Sequence, residues 1–397
     1  MVGVAVVAAA GEPGNRIGTN CAVGSMLLPE FEDPVPDPNA LRSAVDAVTE
    51  PSLRRSLGDL GLVRELNADG STVRVGIALP SPGWPAQPVG EAIAAALKAH
   101  DEIDEVAVDI AIMSEEEADA LSQRLREERP EPVGGARSRT RVIAIASGKG
   151  GVGKSSVTAN TAVALASAGH DVGVIDADVW GYSIPKMLGM ADPPHALVGL
   201  IIPPRAHGVR AISMDFFVGE SDAVIWRGPM LHKALEQFLG DVWWDEPEFL
   251  LIDMPPGTGD VAISISQFLP RSEAIVVTTP QPTAQRVARR AAAMSAKVNQ
   301  DVLGVVENMS WFTGDDGKRY EIFGSGGGAE LAAELDVPLL GSIPLVPALR
   351  DGADRGEPVA IAAPGSEATA AFDEIAAAIL GSRPRVRTHP ELVIKSE

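Results

Sequence analysis

Ser147-Gly148-Lys149-Gly150-Gly151-Val152-Gly153-Lys154-Ser155-Ser156 is the stretch on which the reading of this chain turns. It satisfies G-x-x-x-x-G-K-[ST], a loop whose backbone N–H groups cradle nucleotide phosphates. Such a loop needs a strand before it and a helix after it. Arg141-Val-Ile-Ala-Ile-Ala146 is a β-branched apolar run suited to a buried parallel strand. Ser155 to Ala168 is alanine-rich and stops at Gly169, as a helix with a glycine terminator does. The amides of Gly148, Gly150, Gly151, Val152, Gly153 and Ser156 then converge at a helix N-terminus, where the dipole favours an anion. Lys154 is placed to reach the β- and γ-phosphates, and the Ser155 hydroxyl to ligate Mg²⁺. The competing reading is a glycine-rich turn with solvated lysines, and the flanking strand and helix weigh against it.

Working outward, Val174-Ile-Asp176-Ala-Asp178 sets two carboxylates at the end of an apolar run. Phe249-Leu-Leu-Ile-Asp253 ends a second run in aspartate and leads into Met254-Pro-Pro-Gly-Thr-Gly-Asp260. Ligands of a doubly wound sheet bind beyond the carboxyl ends of its strands. Asp176 and Asp253 are therefore candidates for the magnesium shell. Further strands are expected at 274–278, 302–307 and 339–343. The fold class is α/β: a mainly parallel, doubly wound sheet with helices on both faces, preceded by a small α+β domain. Its pattern is a helix from Ala40, strands at Leu60–Leu66 and Val73–Leu79, a helix from Pro88, and a strand at Val106–Ile112. The expected partition is 1–37 disordered extension, 38–113 small domain, 114–140 charged helix and linker, 141–382 nucleotide domain and 383–397 tail. Met26 is an alternative start within the extension.

The 397 residues carry a formal charge of −21, which disfavours nucleic acid and anionic membranes as partners. No apolar run approaches the ~20 residues of a membrane span, and the N-terminus lacks a basic leader, so a cytoplasmic location is expected. One cysteine, Cys21, rules out an intrachain disulfide framework. The six histidines show no ligand spacing, and Trp243-Trp244 reads as packing.

Gly148-Lys149-Gly-Gly-Val-Gly-Lys154-Ser, Asp176-Ala-Asp178-Val-Trp-Gly, Trp226-Arg-Gly-Pro-Met, Asp253-Met-Pro-Pro-Gly-Thr-Gly-Asp and Gly304-Val-Val-Glu-Asn-Met-Ser occur in that order. Over about residues 140–380 the chain resembles the Mrp/ApbC family of iron–sulfur cluster carrier ATPases, a branch of the P-loop NTPases with a deviant loop. Residues 39–113 resemble the SufT/PaaD-type iron–sulfur assembly domain. The resemblance implies ATP and Mg²⁺ as cofactors and a homodimer formed through the nucleotide face. It implies iron–sulfur apoproteins and assembly factors as partners. Lys149 would then act across the dimer, Lys154 in cis and Asp178 on the attacking water, with Asn308 and the Ile343-Pro344 loop near the adenine. It also implies a Cys-x-x-Cys pair for a shared [4Fe–4S] cluster, yet that segment reads Trp311-Phe-Thr-Gly-Asp-Asp-Gly-Lys-Arg-Tyr320. In the small domain Pro82-Gly83-Trp84-Pro85 stands where a cysteine is expected. Ligation by the usual cysteines is excluded and the cluster ligands are unknown. Two alternatives stand beside the carrier: a ParA/MinD-like positioning ATPase, and a nucleotide-gated scaffold without turnover.

Overall fold

The computed structural model describes residues 37–128, 132–135, 137–178, 181, 183–217, 228–257, 260–298 and 300–382. The expected N-terminal extension with Cys21, the Trp180 and Trp226 positions, and the tail lie outside the described residues. The centre is an eight-stranded sheet in the order Arg205–Ala206, Val209–Ser213, Val172–Asp176, Phe249–Asp253, Arg141–Ser147, Glu273–Thr278, Asp301–Glu307, Leu339–Ser342. All neighbours pair in parallel except Arg205–Ala206, which is antiparallel to Val209–Ser213. The inner strands are apolar along their length because both faces are covered.

Alternate residues divide the core. Ile143, Ile145, Val174 and Leu251 pack under the helices Lys154–Ser167 and Glu367–Gly381. Ala144, Ile175 and Ile252 face Leu235, Phe238 and Ile265 of the helices Gly228–Gly240 and Asp260–Phe268. The period-2 alternation of strand side chains thus gives one sheet two cores.

The small unit has a three-stranded sheet, Val63–Asp69 antiparallel to Thr72–Leu79, which runs parallel to Glu105–Ile112. Its helices Pro38–Asp46 and Ala86–Leu97 bury Leu41, Val45, Val89, Ile93 and Leu97. The strand expected from Leu60 begins later. Ser56 caps a short helix at Leu57–Leu60, and Gly61, at φ 69°, ends it in the left-handed region before the chain extends. The charged helix Glu115–Glu127 opens with a capping box between Ser114 and Glu117, and its Ala118, Leu121 and Leu125 complete the small unit's core.

That core does not stop at the small unit. Leu197, Leu200 and Ile202 of the hairpin His195–Leu197/Leu200–Ile202, together with Trp243, belong to the same buried cluster. The two adjacent tryptophans turn opposite ways. Trp244 lies on Gly173, where a Cβ would sit 2.8 Å from its ring, and Trp243 joins the small unit beneath the Arg55 guanidinium. Arg54 donates to Asp171 at 2.6 Å, and Ser122 to the Val198 carbonyl at 2.8 Å, across the same seam.

Candidate functional site

The phosphate loop follows Arg141–Ser147, and the helix Lys154–Ser167 follows it, with Gly151 at φ 79° and the N-cap Gly153 at φ 80°. Two glycines here are required by close approach. A Cβ on Gly148 would meet the Val287 carbonyl carbon at 2.2 Å, and one on Gly153 would meet the Asn308 amide at 2.2 Å. The loop, Asp178, Gly181, Ser183 and Pro256 border a cavity of about 380 Å³, large enough for the phosphate part of a nucleotide.

Charged groups converge on this cavity. Lys154 Nζ donates to Asp253 Oδ2 at 2.6 Å and lies 3.5 Å from Asp178 Oδ2. Ser155 Oγ donates to the same Asp253 oxygen at 2.6 Å, and Thr158 Oγ1 lies 2.6 Å from the other, Oδ1. Asp253 is fully buried. Strand register sets Asp176 beside it, on the neighbouring strand. Asp176 accepts from the amides of Asp178 at 3.2 Å, Ser183 at 3.0 Å and Ile184 at 3.3 Å, and from Ser213 Oγ at 3.2 Å. Its carboxyl is nevertheless pushed up to about 7, first by burial and then by the charge of Asp253. Lys154 thus pairs with Asp253 and Asp178, and the Asp176 carboxyl lies beside them in the same buried patch.

Lys149 borders the cavity and donates to Gln281 Oε1 at 3.3 Å, at the N-cap of the helix Pro282–Lys297. Asn308 donates to the Val152 carbonyl at 2.9 Å and accepts from Met309 N at 2.9 Å, so its amide buttresses the phosphate loop. Glu307, at the end of its strand, accepts from the Gly328 amide and closes the glycine run onto the start of the helix Gly327–Leu335. Ser155 Oγ, on the cavity wall, and the buried Asp253 carboxylate that it meets are hard oxygen donors, the donor chemistry that Mg²⁺ takes.

The Trp311–Tyr320 segment forms a hairpin, Phe312–Thr313 with Arg319–Tyr320. Its polar groups are spent internally. Glu367 accepts from Trp311 Nε1 at 3.2 Å and from Thr313 Oγ1 at 2.8 Å, and the Arg319 guanidinium stacks 4.2 Å over the Trp311 ring. Among the described residues no group of three or more His, Cys, Asp or Glu side chains is placed to hold a metal ion. In the small unit, Trp84 is buried and donates to Glu50 Oε1 at 2.9 Å, while Glu50 Oε2 accepts from Leu53 N at 2.6 Å. No described helix is long and apolar enough to cross a membrane.

Sequence reasoning missed Thr158 and Ser213. Each is a hydroxyl that its own element's sequence does not single out, and only the fold brings it to a carboxylate.

With that geometry in place, the NUBPL iron-transfer P-loop NTPase family matches residues 138–380. The chain belongs to this family. Residues 38–110 match a second family, iron-sulfur cluster assembly protein. A curated relative from Mycobacterium tuberculosis, named iron-sulfur cluster carrier protein, is 46% identical over 339 residues, covering 82% of this chain and 89% of the relative. One of the same name from Bacillus subtilis is 40% identical, covering 77% and 87%. A solved nucleotide-binding protein in complex with ADP from Archaeoglobus fulgidus aligns with a TM-score of 0.49 and 32% identity, over 61% of this chain and 91% of that one. Membership of a P-loop NTPase family supports nucleotide hydrolysis in general, and Lys154, Ser155, Asp178 and Asp253 meet beside the loop.

Proposed function

We propose that this protein is an ATP-hydrolysing carrier that helps to deliver iron–sulfur clusters to apoproteins as a homodimer closed over two nucleotides. The observation that carries the reading is one chain uniting an iron-transfer NTPase domain with an iron–sulfur assembly domain, built on an intact phosphate site. Lys154 leaves Asp253 for the phosphates when ATP enters, exchanging one anionic partner for another. Asp178, freed from Lys154, orients the attacking water. Ser155 Oγ and Asp253 Oδ2 would hold Mg²⁺ beside the phosphates, where it neutralises charge on their oxygens. Asp176, saturated by four donors, stands behind Asp253 and fixes the strand end. Lys149 releases Gln281 and reaches the phosphates of the second copy, a cation supplied in trans. Asn308 and the Ile343-Pro344 loop form the adenine side. A cytoplasmic setting suits this chemistry.

The cluster is cargo here, and the ligands usual in such carriers are absent: the hairpin holds no cysteine and Trp84 fills the small-domain position. The test is anaerobic loading of wild type and Cys21→Ser with iron and sulfide, then transfer to an apoprotein acceptor with ATP or ADP. Faster transfer with ATP, lost in Lys154→Ala, is expected. Equal transfer with either nucleotide overturns the reading. Cluster content lost in Cys21→Ser assigns that thiol as a ligand.

A further inference from the structure

Asp253 is fully buried, and its two oxygens are served differently. Oδ2 is shared by Lys154 and Ser155, both of which line the cavity and have work to do on an incoming nucleotide. Oδ1 faces the helix Lys154–Ser167 and lies 2.6 Å from Thr158 Oγ1, itself fully buried. Thr158 also stands 3.0 Å from the Lys154 carbonyl, one helical turn back. A hydroxyl has one proton to give, and the shorter bond to a charged oxygen is the stronger claimant. When Lys154 and Ser155 turn to phosphate and metal, Thr158 is, among the described residues, the side chain that still holds Asp253.

We infer that Thr158 is a positioning residue: by donating to Asp253 Oδ1 it fixes the carboxylate so that Oδ2 stays aimed at the metal position. This rests on the nucleotide reading above and deepens it. The hydroxyl comes from the same helix as Lys154 and Ser155, so cation, metal ligand and carboxylate anchor are set by one rigid element. Outer partners of this kind commonly change metal affinity about 10–100-fold when removed.

The test uses the full-length protein with Mn²⁺ as the probe, its free concentration read by electron paramagnetic resonance in the presence of saturating ADP. Thr158→Val keeps the branched shape and deletes the hydroxyl; Thr158→Ser keeps the hydroxyl. The valine variant is expected to bind Mn²⁺ at least about 10-fold more weakly, with metal-free ADP affinity within about 2-fold of wild type. The serine variant is expected to match wild type. Wild-type Mn²⁺ affinity in the valine variant, or equal loss in both variants, overturns the inference. So does a parallel loss of metal-free ADP affinity and melting temperature, which would make Thr158 a packing residue. Failure of wild type itself to bind Mn²⁺ with ADP would refute the nucleotide reading instead, and the inference with it.

Discussion

Two segments leave the same edge of the central sheet and have opposite characters. After Ser147 the phosphate loop directs lysines and serines into an open cavity that Asp178 also lines, and glycines let neighbouring groups come close. After Glu307 the Trp311–Tyr320 hairpin turns its polar groups onto one another and onto Glu367. The first is built to exchange partners. In the proposed reaction Lys154 leaves Asp253 for phosphate, and Ser155 turns from it to the metal. The second is built to keep its partners, and offers no soft donor to a cluster. A strand end becomes a ligand site when its charges are under-committed, and a structural corner when they are not.

That contrast can be broken most sharply at Lys154. Lys154→Ala is expected to cut phosphate release by ~10³-fold, the upper range for removal of one preorganised donor to a developing anion. Wild-type turnover in this variant would remove the phosphate site from the account. Lys149→Ala is expected to lower turnover by ~10²-fold while leaving nucleotide binding largely intact. The loss should appear only at protein concentrations where wild type is dimeric. A variant that hydrolyses as wild type does at every concentration would end the trans-acting role.

Glu367→Ala tests the other side. Trp311 Nε1 and Thr313 Oγ1 each lose an acceptor, and chemical denaturation should show a loss of about 1–2 kcal/mol. Turnover should stay within about 2-fold, because neither Glu367 nor any hairpin residue lines the phosphate cavity. A large kinetic effect would mean that the two segments are not separate devices.

The gentlest test concerns Asp176. Its carboxyl is raised from 3.8 to about 7 by burial and by Asp253. The folded, nucleotide-free protein therefore keeps a proton that the unfolded chain has released. The stability from this group is full below about pH 4 and is lost as pH rises through about 7. Asp253→Asn removes the neighbouring charge and should lower the Asp176 midpoint, read from its carboxyl carbon shift by nuclear magnetic resonance. An unmoved midpoint would leave burial as the sole cause.

Much of this was legible in the sequence, and the reasons are local. Val172–Asp176 and Phe249–Asp253 are unbroken apolar runs ending in aspartate, so strand and site residue announce each other. Val209–Ser213 escaped notice because Arg210 interrupts its pattern. In the fold that arginine is buried and pairs with Asp171, so a charge that looks like solvent exposure is an internal ion pair. Thr158 was silent for a different reason. A threonine in an alanine-rich helix signals nothing until the strand ending at Asp253 is laid beside it. Glu367 serves the hairpin across more than fifty positions of chain, a pairing that no local pattern carries.

Trp243 and the hairpin His195–Leu197/Leu200–Ile202 sit in the small unit's core. The boundary that sequence families draw between the two units is therefore not a boundary for folding. Cutting the chain there would strip cover from Leu197, Leu200, Ile202 and Trp243, a sticky patch of the kind that drives aggregation. Two proteins meeting by diffusion would be joined only as often as their concentrations dictate. Here every nucleotide site carries its own assembly-type unit in fixed one-to-one ratio, independent of expression level or dilution.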